Sequence, residues 1–90
     1  MRAYKEALQQ LLKNKLLNFR ADHEYSQEHI AELLHISPRA LFDLESGKYG
    51  FSALTLMFFL SVMKESEVET LLTDFRSLVD AENEKKKTVN

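Results

Sequence analysis

One continuous stretch decides the fold, Ser26-Gln-Glu-His-Ile-Ala-Glu-Leu-Leu-His-Ile-Ser-Pro-Arg-Ala-Leu-Phe-Asp-Leu-Glu-Ser-Gly47. Ser26 can accept amide hydrogens at the start of one helix. Ser37 followed by Pro38 marks the start of another, because proline's fixed φ and missing N–H suit the first helical position. Gly47 stops the second helix. The stretch therefore predicts two short helices, one from Ser26 to near His35 and one from Pro38 to about Ser46.

A connection of about three or four residues joins these two helices, so they must cross steeply and meet at a small residue. Ala31 is that small residue. The apolar side chains that face the core are Ile30, Leu34, Ile36, Leu41 and Leu44. The pattern is typical of a helix-turn-helix, and it leaves an outward face on the second helix that consists of Pro38, Arg39, Ala40, Phe42 and Asp43.

From roughly residue 16 to residue 63, the chain resembles the Cro- and phage-repressor-like helix-turn-helix family, often called XRE. The resemblance rests on Gln27, Ala31 and Leu34 at the family's spacings and on two segments, Leu41-Phe-Asp-Leu-Glu-Ser-Gly-Lys48 and Ser52-Ala-Leu-Thr-Leu56. It implies a lambda-repressor-like domain and a partly buried ion pair between Arg20 and Glu45. His35 stands where the family commonly has a glycine with positive φ, a conformation that histidine adopts more often than most residues.

The resemblance implies that the protein binds double-stranded DNA, with the second motif helix in the major groove. Gln27 would bind a phosphate at a helix N-terminus, and Lys48 and Tyr49 would contact the DNA backbone. Arg39 and Asp43 would read bases, while Phe42 would contact a thymine methyl or pack on a neighbour. The complete set of predicted DNA-contacting residues is Gln27, Ser37, Pro38, Arg39, Ala40, Phe42, Asp43, Lys48 and Tyr49.

Three more helices are predicted from apolar residues at helical spacing. The first runs from Arg2 to about Ala21, and the fourth runs from a cap at Ser52 through Met63. Ser66 with Glu69 three residues later reads as a capping box, which opens a fifth helix over about 66–83. Residues 85–90 are predicted to be a polar tail. The sequence therefore predicts an all-α fold, with five helices in one compact domain over 1–84.

The predicted fourth helix is apolar on nearly all sides, so two of its faces need cover. Leu54 and Phe58 stand where the resemblance leads us to expect polar residues. Either the fifth helix covers them, or these surfaces form the seam of a homodimer, since large apolar patches seldom stay exposed. The residues assigned to this packing are Leu54, Phe58, Leu71, Leu72 and Phe75.

Composition excludes several classes of protein. Two glycines and one proline in 90 residues are too few for the turns of an all-β domain. The absence of cysteine excludes disulfides and thiolate zinc sites. No apolar run approaches the roughly 18 residues that a membrane span needs, and the N-terminus lacks a signal-peptide core. A soluble cytoplasmic protein without a membrane partner is therefore expected.

Catalytic and metal sites are not predicted. His23, His29 and His35 are six residues apart and share no helical face, so they offer no metal site. The sequence contains no glycine-rich phosphate loop, no nucleophile elbow and no paired carboxylates in an obvious cleft. We therefore expect neither an enzyme nor a bound cofactor.

Charge leaves two functions open. The net charge of −2 is made up of +4 over residues 1–20, −5 over residues 21–45, +1 over residues 46–65 and −2 over residues 66–90. This asymmetry fits either a basic face on an acidic body or an ordinary solvated surface. One function is a sequence-specific transcriptional regulator, a repressor that binds DNA as a homodimer. The other is a protein-interaction module, an antitoxin-like or anti-regulator subunit. Gln27, Arg39 and Lys48 favour the regulator, whereas Phe42, Asp43 and the acidic balance favour the interaction module.

Overall fold

Five α-helices make up the fold, as the sequence predicted. In a computed structural model, which describes the backbone of residues 2–89 and the side chains of residues 3–84, they are α1 (Arg2–Asp22), α2 (Gln27–Leu34), α3 (Pro38–Ser46), α4 (Ala53–Val62) and α5 (Glu65–Val89). The described part of the chain contains no strand. The prediction of an all-α fold with five helices is confirmed.

Serine hydroxyls start the three central helices. The Oγ atoms of Ser26, Ser37 and Ser52 accept the backbone N–H of the residue three positions later, at 3.1, 3.0 and 3.1 Å. Each bond satisfies one of the amide groups that a helix leaves without a partner in its first turn. All three starts lie where the sequence placed them, because this capping needs only residues that are close together in the chain.

The first three helices end with one residue in the left-handed conformation. These residues are Glu24, His35 and Gly47, with φ of 56°, 58° and 82°. The N–H of the next residue then reaches a carbonyl five positions back, at 3.0 Å in each of the pairs Tyr25–Arg20, Ile36–Ala31 and Lys48–Asp43. The sequence predicted this conformation for His35 but not for Glu24. Non-glycine residues pay about 1–2 kcal/mol to adopt it, so the bonds that close the helix end must offset that cost.

The core lies where α1 to α4 meet. Phe59 is fully buried on α4, and its ring centroid lies 5.6 Å from that of Phe19 on α1 and 5.7 Å from that of Phe51. The other buried members of this core are Leu16, Ile30, Ala31, Leu34, Leu41 and Leu44. The positions predicted to face inward are therefore buried, apart from Ile36, which is half-buried against the same core.

Helix α5 begins earlier than predicted, with its cap at Lys64 rather than two residues later at Ser66. Its first residue is Glu65, and the Lys64 N–H donates to the Glu67 carboxylate at 2.7 Å. The predicted capping box of Ser66 with Glu69 is therefore wrong, and Glu67 has the role that was assigned to Glu69. The physical reason is tertiary: Glu67 also lies 3.3 Å from His23 Nε2 on α1, a contact that the exposed Glu69 does not make.

The C-terminal end of α5 also differs from the prediction. The backbone stays helical to Val89, whereas the sequence placed the helix end near residue 83 and a polar tail over 85–90. The segment Glu84-Lys-Lys-Lys contains no glycine or proline, its residues favour helix, and cations suit a helix C-terminus. The side chains of that predicted tail, and Asn90 as a whole, lie outside the described residues.

Helix α5 packs along α1 in an antiparallel arrangement rather than covering α4. Tyr4 Oη donates to Asn83 Oδ1 at 2.7 Å near one end of the pair, and Lys15 Nζ lies 2.6 Å from Asp74 Oδ2 nearer the middle. Leu71 is buried and Phe75 half-buried on α5, whereas Leu72 is exposed. The proposed cover of α4 by α5 is therefore wrong for Leu54, whose exposure is 67%.

Phe58, the other α4 residue assigned to that cover, is half-buried against the core instead. Its ring centroid lies 4.3 Å from that of His35. Since α5 lies on α1, the outer face of α4 keeps Leu54 and Met57 in contact with solvent.

The hydrogen bond from the Lys64 N–H to Glu67 makes the free energy of unfolding depend on pH. The Lys64 N–H, and to a smaller extent His23, hold the pKa of Glu67 below its ordinary value against the opposing effect of burial. The stabilisation is complete above the pKa of the unfolded chain and is lost as the pH falls through the lower pKa of the folded protein. We expect Glu67→Gln to unfold at a lower temperature than the unmodified protein at neutral pH and to lose less stability on acidification.

Thermal unfolding followed by circular dichroism from about pH 7 to about pH 3 tests this expectation. Glu69→Gln is the matched control, because Glu69 is exposed on the same helix. Equal acid sensitivity of the two variants would contradict the role of Glu67.

Candidate nucleic-acid interface

A connection of three residues, His35 to Ser37, joins α2 to α3. It is short because His35 ends α2 in the left-handed conformation and Ser37 immediately caps α3. Ala31 is buried, and its carbonyl accepts the N–H of Ile36 within this connection. The arrangement fixes α3 on α2 and determines which side of α3 meets solvent.

The exposed side of α3 presents an arginine beside an aromatic ring. The Arg39 side chain is 74% exposed, and its Cζ lies 5.8 Å from the centroid of the exposed Phe42 ring. Pro38 at the start of the helix is also exposed, while Ala40 is half-buried. Three of the residues predicted to point outward are therefore exposed, where a large partner can reach them. They are Pro38, Arg39 and Phe42.

Asp43 is the exception, since the prediction that it points outward is wrong. The residue is only 8% exposed, and its Oδ1 has no hydrogen-bond partner among the described residues. It lies between the buried Leu41 and Leu44 in sequence, and the chain folds back beside it, where the N–H groups of Lys48 and Tyr49 donate to the Asp43 carbonyl. This position at the border of the buried face leaves Asp43 poorly placed to read a base.

Asp43 instead forms an ion pair with the arginine one turn before it. Arg39 Nε lies 3.5 Å from Asp43 Oδ1, which is too long for a good hydrogen bond but close enough for charge attraction. Asp43 Oδ1 is buried without a hydrogen bond from any described residue, an unfavourable state that the nearby guanidinium partly relieves. Arg39 therefore has the Phe42 ring and the Asp43 carboxylate as neighbours, while most of its side chain stays in contact with solvent.

The ion pair implied by the family resemblance is present and joins α1 to α3. Arg20 Nε lies 2.7 Å from Glu45 Oε2, and Arg20 Nη2 lies 3.3 Å from Glu45 Oε1. The Gln27 amide on α2 also donates to Glu45 Oε1, at 2.9 Å. Glu45 thus connects three helices, and the amide nitrogen that was assigned to a phosphate is already bonded within the protein. Sequence reasoning did not predict the bond from Gln27.

The loop after α3 presents the two predicted backbone-contacting residues. Lys48 and Tyr49 are both exposed, and Lys48 Nζ lies 5.4 Å from the centroid of the Tyr49 ring. They follow Gly47, whose left-handed conformation turns the chain back along α3. Lys48 therefore adds a second positive charge on the chain segment that directly follows α3.

A contact with α1 that the sequence analysis missed holds this loop in place. Gln9 Oε1 accepts the backbone N–H of Phe51 at 3.2 Å. Gly50 makes the approach feasible, because a Cβ atom at this position would overlap the Gln9 amide. The chain has only two glycines, both in this loop, which was the one signal in the sequence that the loop needs special backbone geometry.

The surroundings of the α3 surface are mixed in charge. Glu28 and Glu32 are exposed on α2, whereas Arg39 and Lys48 lie on α3 and the loop that follows it. This local contrast differs from the charge asymmetry seen in the sequence, because all five positive residues of 1–20 lie on α1.

The three histidines are separated in the structure. His23 contacts Glu67, His29 packs against Tyr25 with ring centroids 4.6 Å apart, and His35 packs against Phe58. Within residues 3–84, no group of three histidine, cysteine, aspartate or glutamate side chains could hold a metal ion. No helix in the described part of the chain combines the length and the apolar character that crossing a membrane requires.

Comparisons of the chain with protein-family models, with curated proteins and with solved structures found no match. The resemblance to the Cro- and phage-repressor-like family therefore rests on the residues of this sequence.

Proposed function

We propose that the protein is a double-stranded DNA-binding transcriptional regulator that acts as a repressor by inserting α3 into the major groove. The observation that carries this proposal is the exposed side of α3, where the Arg39 side chain is 74% exposed beside Phe42 and Asp43. The major groove of DNA admits an α-helix, and arginine is the side chain that most often reads guanine there. A helix-turn-helix formed by α2 and α3 would present Arg39 in this way.

Asp43 has a different role in this proposal from the one that the sequence suggested. It holds Arg39 Nε from the side, which leaves the terminal nitrogens of the guanidinium for the O6 and N7 atoms of a guanine. A side chain restricted before binding loses less conformational entropy when the complex forms. Asp43 therefore acts as a positioning residue for Arg39.

Contacts to the DNA backbone come mainly from the loop that follows α3 in this proposal. Lys48 supplies a positive charge next to the C-terminal end, and Tyr49 beside it supplies a hydroxyl that can bond a phosphate oxygen. The Gln27 amide donates one hydrogen to Glu45, which holds α2 against α3, and its second hydrogen is left for a phosphate oxygen. Such contacts position the protein, while the bases next to Arg39 set the sequence preference.

The test is Arg39→Ala in a fluorescence-anisotropy titration with labelled DNA from upstream of the protein's own gene. We expect the variant to bind this DNA about 5- to 150-fold more weakly, which corresponds to the loss of one arginine contact to guanine. Binding to scrambled DNA should change much less, because that binding depends on phosphates. Arg76→Ala is the matched control, since Arg76 is exposed on α5 and remote in sequence from the α3 surface.

Repeating the titration at low and near-physiological salt separates specific from purely electrostatic binding. A preference for the upstream DNA that persists at near-physiological salt and is lost in Arg39→Ala supports the proposal. Equal affinity of the unmodified protein for upstream and scrambled DNA under both conditions contradicts specific recognition of that site.

The exposed apolar face of α4 favours a second candidate function, a protein-interaction module. Leu54 and Met57 lie one turn apart on α4, and both are exposed. Exposed apolar side chains that adjoin one another often contact another protein or a second copy of the same chain. A second copy would also serve the DNA proposal, because dimers place two reading helices on a palindromic site. Failure of DNA binding together with a stable complex with another protein would favour the interaction module.

A further inference from the structure

A groove beside the α3–α4 loop, lined in part by Leu44 of α3, takes no part in the proposed reading of bases. It lies between the N-terminal half of α1, this loop and α5, and its cavity volume is about 1030 Å³. Its apolar lining comes from all three elements and includes Leu8, Phe51 and Phe75. These side chains are half-buried, so the groove keeps apolar surface in contact with solvent.

The groove is unusually basic for a protein with a negative net charge. Three lysines line it, Lys5, Lys13 and Lys48, against a single carboxylate, that of Glu6. Among the described residues, Lys15, Arg20, His23 and Arg39 form ion pairs, and none of these four lines the groove. The Lys13 ammonium lies beside Gly47 at the end of α3, and the residue is half-buried.

We infer that this groove is a binding site for a small amphipathic carboxylate, with the carboxylate next to Lys13 and Lys48 and the apolar body against Leu8, Phe51 and Phe75. Sites for small molecules are typically concave and apolar, with a few polar groups that fix the orientation of the ligand. The lysines would fix the orientation of the ligand, because an ammonium group attracts a carboxylate and repels a cation. The volume of the groove exceeds that of one short alkyl or aryl acid.

The groove shares Lys48 and Tyr49 with the loop that the proposed function places on the DNA backbone. A bound carboxylate takes up the charge of Lys48 and therefore weakens DNA binding; this consequence rests on the proposed function. The binding site itself does not rest on it, because its evidence is the shape, the lining and the charge of the groove.

The test is a titration of the full chain with octanoate, followed by the backbone amide resonances in NMR spectra. Octanol is the matched probe, because it has the same alkyl chain without the carboxylate. We expect octanoate to shift the resonances of Leu8, Lys13 and Phe51 saturably at millimolar concentration, and octanol to bind more weakly. Resonances of Ser61 and Val62, which lie outside the groove on α4, should stay in place.

A pair of lysine variants tests the charge. Lys13→Gln should weaken octanoate binding about two- to fivefold, the range for an exposed ion pair, and leave octanol binding unchanged. Lys15→Gln is the control, since Lys15 pairs with Asp74 outside the groove. Equal affinity for octanoate and octanol, shifts centred elsewhere, or no saturable shift would overturn the inference. Octanoate binding in the groove by a protein that fails to bind DNA would leave the inference standing and count against the proposed function alone.

Discussion

Phe59→Ala is expected to lower the free energy of unfolding by about 3–5 kcal/mol, the cost of truncating a buried phenylalanine. Phe59 has no exposed surface, and its ring contacts Phe19 of α1 and Phe51 of the α3–α4 loop. Removing the ring leaves a cavity where α1, α4 and the α3–α4 loop meet. A small domain has about 5–15 kcal/mol in total, so the variant is expected to be partly unfolded at physiological temperature.

Urea denaturation followed by far-UV circular dichroism measures this effect. Met57→Ala is the matched control, because Met57 lies on the same helix and is exposed. Its expected change is within about 0.5 kcal/mol, as for most surface substitutions. Similar midpoints for the two variants would show that α4 is not anchored through Phe59.

Arg20→Met is expected to cost about 2–3 kcal/mol, because it leaves the Glu45 carboxylate without its charged partner. The Glu45 side chain is only 7% exposed, so its negative charge would be poorly solvated. Breaking a fully buried pair costs about 3–5 kcal/mol, and the expected value is smaller here because solvent still reaches part of the arginine and Gln27 still donates to Glu45.

A second substitution separates the lost charge from the lost packing. Adding Glu45→Gln to Arg20→Met removes the stranded charge, so the double variant should be more stable than Arg20→Met alone. Lys15→Met is the matched control, since it breaks a more exposed pair with Asp74 and should cost at most about 1 kcal/mol. Strictly additive losses in the double variant would contradict the role of Glu45 as a stranded charge.

The parts of the fold that depend on neighbouring residues could be predicted from the sequence. Ser26, Ser37 and Ser52 cap their helices through bonds to residues three positions away, and Gly47 ends α3 through its own backbone conformation. The left-handed conformation of His35 was also predictable, because the resemblance placed a glycine there. Each of these features is decided within about one helical turn of chain.

Features that depend on distant residues could not be predicted in the same way. Glu67 and Glu69 both suit a helix start, and the contact that distinguishes Glu67 comes from His23, 44 residues earlier. Asp43 was assigned to the outward face because helical spacing places it beside Arg39, whereas the chain that returns after Gly47 determines its burial. The exposure of Leu54 depends on where α5 packs, which apolar spacing alone does not specify.

The antiparallel pairing of α1 with α5 has a consequence for the order of folding. His23 and Glu67 contact each other across 44 residues of chain, whereas Tyr4 and Asn83 do so across 79. Closing a longer loop costs more conformational entropy, so the contact at His23 is the least costly one with which to begin docking α5. Each later contact toward Tyr4 then extends a pairing that already exists. Local opening in the reverse order, starting at the Tyr4 end, is the easiest way for α5 to leave α1.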